Sequence, residues 1–285
     1  MTKAIVAIVA QGAMGAGVAR RLVEHGVTVL TCLEGRSGAS AARAAAAGMI
    51  AVPRADLAQA AAVLSILPPA EALATAQALA PILAAAPVPP IYVDCNAISP
   101  DTMERLAGLV GAHGLPVVDA GIIGGPPRAD YAGPVVYASG PAAPGFVALL
   151  QDRGIDLRLL SGPIGAASAL KMSYAGITKG LVAIGSAMML AATRAGAADA
   201  LRSEIAASQP ALATWFARMV PSMYDKAYRW AGEMQEIADF ARDDPAASAI
   251  YGGASSLYAR LADPAAAEEI AALRAFLDGA APPPA

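Results

Sequence analysis

Residues Ala4–Gly17 read AIVAIVAQGAMGAG, an apolar run of Ile, Val and Ala followed directly by closely spaced glycines. The run predicts a buried strand, and the residues after the glycines predict a helix. Gly12 would let the backbone approach a pyrophosphate, and Gly15 would let the helix pack closely on the strand. Ala10 stands in the first glycine's place of the G-x-G-x-x-G pattern. The turn predicts dinucleotide binding at Gly12, Ala13, Met14 and Gly15.

Strand-like and helix-like segments alternate from this turn to about Gly162. The predicted strands are Ala4–Ala10, Val27–Leu33, Ala62–Leu67, Ile91–Cys95, Pro116–Asp119 and Pro134–Ser139. The predicted helices between them are Gly15–His25, Ser40–Ala47, Glu71–Leu83 and Pro100–His113. Alternation with short connections is typical of an α/β fold of the Rossmann type, a doubly wound and mostly parallel sheet.

The pattern changes after Gly162, where no convincing strand follows. The segment Ala166–Arg194 contains no proline and is too long for a crossover helix. Further helices are predicted at Ala198–Ser208, Leu212–Met219, Met223–Ala241, Ala246–Ala262 and Ala265–Asp278. We therefore expect an NAD(P)-binding domain at residues 1–162 and an all-helical substrate and dimerisation domain at residues 163–285.

Composition excludes several classes of protein. With 20 Lys and Arg against 23 Asp and Glu, the net charge of −3 lacks the basic excess of a nucleic-acid-binding protein. The only cysteines, Cys32 and Cys95, lie far apart in apolar runs, and no cluster of His, Cys and carboxylates suggests a metal site. The apolar run between Lys179 and Arg194 is too short for a membrane span. We expect a soluble cytoplasmic protein without metal, nucleic-acid or membrane partners.

The segment after the second predicted strand bears on the choice of cofactor, and it reads TCLEGRS over Thr31–Ser37. If the strand ends at Leu33, Glu34 could hold the ribose 2′-hydroxyl of NAD. If the strand is one residue longer, Arg36 and Ser37 form a cradle for the 2′-phosphate of NADP. The guanidinium group favours NADP over NAD.

Four motifs, taken together, resemble those of the β-hydroxyacid dehydrogenase superfamily, which includes 6-phosphogluconate and 3-hydroxyisobutyrate dehydrogenases. The first is the glycine turn. The others are DCNAISP at Asp94–Pro100, DAGIIGG at Asp119–Gly125, and the pair Gly162–Gly165 and Lys171–Gly176. Their order matches the family's order over about 170 residues. Other runs look more like an uncharacterised 6-phosphogluconate dehydrogenase-like branch than like either named enzyme.

The resemblance implies hydride transfer between a nicotinamide and a small 3-hydroxy acid, with Lys171 as general acid and base. The family's asparagine one helical turn after this lysine is replaced by Ala175. Tyr174 is a candidate to replace it, because it lies three residues after Lys171 and faces the same side of the helix. Lys171 needs a depressed pKa to act as a base at neutral pH.

The resemblance also implies where substrate and nicotinamide bind. Asn96 replaces the family's serine in the second motif and would keep an amide near the nicotinamide or the substrate. In the substrate loop, Ile123 replaces a serine, so the backbone N–H groups of Gly124 and Gly125 remain in a more apolar pocket. Leu67 and Pro68 match a family segment that borders the cofactor.

Two competing functions stay open, and one assembly is expected. The loss of the asparagine and of the loop serine favours an imine or ketone reductase, whereas Lys171 counts against it. A redox sensor that binds NADP without turnover is the second competitor. The helix Ala166–Arg194 is apolar on several faces, so we expect a homodimer in which the helical domains pack together.

Overall fold

The computed structural model describes residues 4–128 and 130–279. The described chain forms two compact units, which divide between Lys171 and Met172. The first unit holds a sheet with helices, and the second is helical. The sequence predicts this boundary nine residues earlier, near residue 162, because the alternation of strands and helices ends there. The structure assigns residues 166–171 to the sheet unit, since their hydrogen bonds go to its strands.

The described part of the first unit contains an eight-stranded sheet, which confirms the predicted α/β fold. The strands are β1 Ile5–Val9, β2 Thr28–Thr31, β3 Ile50–Ala51, β4 Ala62–Ser65, β5 Ile91–Asp94, β6 Val117–Ile123, β7 Val135–Ser139 and β8 Asp156–Leu159. Their order is β3-β2-β1-β4-β5-β6-β7-β8, and β6 with β7 is the one antiparallel pair. The six predicted strands are present, although most are shorter than predicted.

The sequence pattern does not predict two of the strands, β3 and β8. Strand β3 has only two residues, and both are exposed. Strand β8 reads DLRL at an edge of the sheet, where three of its four residues are exposed. Neither strand buries enough apolar surface to show the periodicity from which strands are predicted.

Helices cover both faces of the sheet. They are α1 Ala13–Glu24, α2 Gly38–Ala46, α3 Ala72–Ala84, α4 Pro100–Gly111 and α5 Ala143–Leu150. Successive residues of β1 point to opposite faces, so Ile8 packs in the core with α1, α2 and α5, and Ala7 packs in the core with α3 and α4. This two-sided core is the reason that β1 is apolar throughout.

The second unit is built from the part of the long helix α6 (Ala166–Arg194) that begins at Met172 and from the helices that follow it. These are α7 Ala198–Ser208, α8 Pro210–Met219, α9 Ala227–Phe240, α10 Pro245–Leu261 and α11 Ala267–Asp278. The predicted helices are confirmed, except that Pro221–Lys226 forms a 3₁₀ helix ahead of α9. Pro210 and Pro245 lie in the first turn of their helices, where a missing N–H costs nothing.

Candidate active site

The glycine turn between β1 and α1 has the geometry that a bound dinucleotide requires. A Cβ atom on Gly15 would lie 2.2 Å from the carbonyl oxygen of Ala10, so glycine is needed for this close packing. A Cβ atom on Gly12 would meet nothing within 4 Å among the described residues. No described side chain caps α1, whose first residues are Ala13 and Met14. The helix N-terminus therefore offers free N–H groups beside open space, as a pyrophosphate requires.

The departure from glycine at Ala10 carries a backbone strain. Ala10 has φ +80°, in the left-handed region that favours glycine. For a residue with a Cβ atom this conformation costs about 1–2 kcal/mol. The turn keeps its shape at that cost because Ala10 is buried in the core between the sheet and α3.

A pocket of about 320 Å³ opens at the carboxyl end of β2. Its polar lining includes Glu34, Arg36, Arg54 and Glu71, and residues of α3 line another part of it. The Arg54 backbone N–H donates to Glu34 Oε1 at 3.2 Å, and Arg54 Nε lies 3.6 Å from Glu34 Oε2. Arg36 is exposed and forms no ion pair with the part of the chain that the structure describes. The pocket thus holds the Glu34–Arg54 ion pair, the cation of Arg36 and a second carboxylate, Glu71.

Arg43 connects this pocket to the glycine turn. Its Nε donates to the carbonyl oxygen of Gln11 at 2.7 Å, and its Nη2 donates to Ser40 Oγ at 3.1 Å. Ser37 caps α2 by accepting a hydrogen bond from the Ser40 N–H at 3.3 Å. The structure therefore brings together two segments with predicted cofactor contacts. The glycine turn is predicted to bind the pyrophosphate, and the Arg36–Ser37 segment is predicted to bind the 2′-phosphate.

Asn96 lies at the carboxyl end of β5, where it is buried and fully engaged. Its Oδ1 accepts a hydrogen bond from the Leu67 N–H, and its Nδ2 donates to Ser65 Oγ at 3.0 Å and to Asp94 Oδ2 at 2.7 Å. These bonds fix the end of β4, and with it the exposed Pro68 that follows Leu67. Asn96 thus supports the Leu67–Pro68 segment, which is predicted to border the nicotinamide. Its side-chain amide is already hydrogen bonded within the protein.

Asp94 is the second buried polar group at this end of the sheet. It also accepts a hydrogen bond from the Asn96 N–H at 2.9 Å. Burial raises the pKa of Asp94 to about 6, although the hydrogen bonds from Asn96 oppose the shift. The Asp94 carboxyl group therefore takes up its proton at a higher pH than an ordinary aspartate does.

Lys171 is part-buried on α6 and faces the ends of β5 and β6. A Cβ atom on Gly121 of β6 would lie 3.4 Å from Lys171 Cβ and 2.6 Å from the carbonyl oxygen of Ala167, so glycine lets α6 approach the strand. Burial lowers the pKa of Lys171 below its ordinary value. The nearby Cys95, Asp94 and Asp119 oppose that shift. The direction is the one that a lysine base requires.

The predicted substrate loop follows β6, which ends at Ile123. Ile123 is part-buried, and Gly124 and Gly125 are exposed. Gly124 has φ +127°, and a Cβ atom on it would lie 2.7 Å from Tyr131 Oη. Conformation and space therefore both require glycine at position 124, whereas a Cβ atom on Gly125 would meet nothing within 4 Å among the described residues.

Tyr174 lies three residues after Lys171 on α6, in the second compact unit. Its side chain is 52% exposed. Its role as a replacement for the family's asparagine stays a prediction.

Sequence reasoning missed three residues that shape the site. Arg54 pairs with Glu34, and Ser139 and Ser168 hold Asp119. The only available signal was the spacing of Asp119 before the glycines of its motif. Nothing in the sequence indicates that two distant serines converge on that carboxylate.

Comparison with known families covers both units. The NAD-binding domain of 6-phosphogluconate dehydrogenase matches residues 5–145, and a domain of unknown function, DUF1932, matches residues 192–261. The chain belongs to the β-hydroxyacid dehydrogenase superfamily. It is an NAD(P)-dependent oxidoreductase of that superfamily. No protein of curated function matches the chain.

Solved structures agree with this membership of the superfamily. A conserved protein described as similar to 3-hydroxyacid dehydrogenases is 28% identical, with a TM-score of 0.74 over 90% of this chain and 96% of its own. The 3-hydroxyisobutyrate dehydrogenase of Mycobacterium tuberculosis, described with L-serine, is 20% identical, with a TM-score of 0.72 over 96% and 99%. An imine reductase from Myxococcus stipitatus, described with NAD⁺, is 16% identical, with a TM-score of 0.60 over 92% and 100%.

Proposed function

We propose that this β-hydroxyacid dehydrogenase homologue is an NADP-dependent oxidoreductase acting on a small 3-hydroxy acid or its carbonyl counterpart, with Lys171 as general acid and base. The observation that carries the proposal is the position of Lys171, whose pKa burial lowers, beside the ends of β5 and β6. A lysine so placed can exchange a proton with an alcohol or carbonyl oxygen. The resemblance in sequence and the superfamily's hydroxyacid chemistry support the substrate class.

The chain's own residues divide the work in this proposal. The nicotinamide cofactor, when bound, supplies or accepts the hydride. The N–H groups at the start of α1 hold the pyrophosphate, and Leu67 and Pro68 border the nicotinamide. Gly124 and Gly125 offer backbone N–H groups to the substrate carboxylate. Lys171 gives its proton to the oxygen during carbonyl reduction and takes it back during alcohol oxidation.

The preference for NADP is supported by the pocket at the end of β2. Glu34, the residue that would hold the 2′-hydroxyl of NAD, is already paired with Arg54. Arg36 is exposed on the same pocket, and Arg43 adds positive charge beside Ser37 and Ser40. A 2′-phosphate placed there meets donors suited to its charge.

An imine or ketone reductase is the second candidate. Ala175 supplies no amide, and Ile123 makes the substrate loop apolar, as an uncharged substrate would favour. The likeness in fold to an imine reductase is consistent with this candidate but shows the fold alone. A redox sensor that binds NADP without turnover is a third possibility, which only a measurement of turnover separates.

The test is to follow NADPH oxidation at 340 nm with 3-keto acids and aldehydo acids, simple ketones and cyclic imines. We expect turnover with the acids and little with the uncharged ketones and imines. Turnover confined to the imines or ketones would replace the hydroxy-acid function with the reductase. Cofactor binding without turnover of any compound would favour the sensor.

We also propose a homodimer through the second unit, on the basis of an apolar stripe on α6. The stripe consists of Tyr174, Ile177, Leu181, Ile184 and Met188, which are 41% to 62% exposed. Their spacing of three and four residues alternately is the spacing of helices that pack side by side. By length and composition α6 could also cross a membrane. Lys171 and Lys179 within it favour a protein partner.

Light scattering tests the dimer directly. We expect a dimer at micromolar concentration and a monomer for the double variant Ile177→Asp and Ile184→Asp, because two charges per copy would be buried in the contact. Ile250→Asp, an exposed isoleucine on α10, is the matched control and should stay dimeric. A monomeric parent protein without detergent would refute the proposal, and association with lipid vesicles would assign the stripe to a membrane.

A further inference from the structure

A buried polar network lies at the start of α6, one helical turn before Lys171. Asp119 of β6 accepts hydrogen bonds from Ser168 Oγ at 2.7 Å, from the Ser168 N–H at 3.0 Å and from Ser139 Oγ at 3.1 Å. Ser139 Oγ in turn accepts a hydrogen bond from the Ala167 N–H at 3.0 Å. Asp119, Ser139 and Ser168 are each at most 2% exposed.

The network replaces a cap that α6 lacks locally. Gly165, which precedes the helix, has φ +94° and no side chain with which to accept the first N–H groups. The strands supply the missing acceptors instead, because Asp119 and Ser139 face each other across β6 and β7. The negative charge of Asp119 also lies at the positive end of the helix dipole, where a carboxylate is stabilising.

The bonded residues fix the position of Lys171. Ala167 and Ser168 precede Lys171 by four and three residues, so they lie one turn below it on the same rigid helix. Gly121, two residues after Asp119 on β6, gives the backbone of α6 its close approach at the same point. A shift of the cap would move the lysine relative to the ends of β5 and β6.

We infer that Asp119, with Ser139 and Ser168, is the positioning group that holds Lys171 in its reactive place. This inference rests on the proposed role of Lys171 and adds residues to it. Asp119 acts through α6, as a positioning residue. Asp119 also affects the pKa of Lys171, because its negative charge raises that pKa. Cys95 and Asp94 are the other ionisable groups that act on Lys171.

The test is Asp119→Asn, which keeps the side-chain shape, removes the negative charge and replaces one of the two acceptor oxygens with an NH₂ group. We expect kcat to fall about tenfold to a hundredfold while the Kd for NADPH changes less than twofold, since a small displacement of a catalytic group costs that much. The pKa seen for Lys171 in the pH profile of kcat/KM should move down, because a negative charge near the ammonium group is lost. Asp156→Asn, at an exposed edge strand, is the control and should change neither quantity.

Two further variants keep the inference falsifiable if Asp119→Asn folds poorly. Ser168→Ala removes one bond and keeps the charge, so we expect a smaller loss in kcat and an unmoved kinetic pKa. Normal kcat and an unmoved pKa in folded Asp119→Asn would overturn the inference. The proposed role of Lys171 fails if Lys171→Met stays active, so that failure is distinguishable from a failure of the inference about Asp119.

Discussion

The polar groups at the carboxyl ends of β1 and β2 differ from those at the carboxyl ends of β5 and β6. At the cofactor end, β1 and β2 lead to open space beside Gly12 and to the exposed Arg36. At the lysine end, β5 and β6 lead to Asp94 and Asp119, which are buried and already hydrogen bonded. Groups left open can take a ligand, whereas groups already paired hold geometry.

This difference changes how the predicted site residues act. Asn96 and Asp119 both belong to motifs that resemble substrate-binding segments, yet the side chains of both are engaged within the protein. Leaving such a buried group without its partner costs more than the bond itself contributes. We therefore expect variants at the cofactor end to change binding, and variants at the lysine end to change stability or turnover.

The largest expected effect on cofactor binding comes from the glycine turn. Gly12→Val fills the open space at the start of α1, so we expect NADPH affinity to fall about a hundredfold, or about 2.7 kcal/mol, with an unchanged melting temperature. Gly15→Ala places a Cβ atom against Ala10 and should lower the melting temperature as well. Isothermal titration and thermal melts measure both quantities.

Gly108→Ala in α4 is the matched control, because its new Cβ atom would also meet no described neighbour within 4 Å. It should leave NADPH binding unchanged and should raise the melting temperature slightly, because alanine favours a helix more than glycine does. Normal NADPH affinity in Gly12→Val would show that the cofactor does not lie against this turn.

The next effect concerns cofactor choice at Arg36. Arg36→Ala should weaken NADPH binding about tenfold to a hundredfold and leave NADH binding nearly unchanged, because a charge-assisted bond to the 2′-phosphate contributes about 1.5–3 kcal/mol. Arg158→Ala, whose cation is exposed on β8, is the control. Equal affinity of the parent protein for both cofactors would end the NADP assignment.

The smallest effect on binding is expected at Asn96. Asn96→Ala leaves the buried N–H of Leu67 without its acceptor and Oδ2 of Asp94 without its donor. The free energy of unfolding should fall by about 1–3 kcal/mol, while NADPH affinity changes less than threefold. Chemical denaturation gives the first number and fluorescence titration the second. A large loss of affinity with normal stability would mean that the amide contacts the ligand.

The sequence predicts the open end of the site better than the paired end. Gly12 and Gly15 lie in one short motif and Arg36 lies in another, and the residue types in each motif indicate its function. The network of Asp119, Ser139 and Ser168 joins residues up to 49 positions apart. A serine in a sequence does not indicate whether its side chain will contact a distant carboxylate. The fold follows the same rule, since apolar strands were predicted and the exposed β3 and β8 were not.

Lys171→Met tests the central claim most directly, because methionine keeps the length and apolar packing of the side chain. We expect turnover to fall by about 10²–10⁴ with an NADPH affinity that is nearly unchanged, since only the proton transfer is lost. Tyr174→Phe, measured beside it, should cost about tenfold if Tyr174 only orients the substrate. If Tyr174→Phe abolishes turnover while Lys171→Met keeps most of it, the tyrosine is the proton donor and the hydroxy-acid mechanism is wrong.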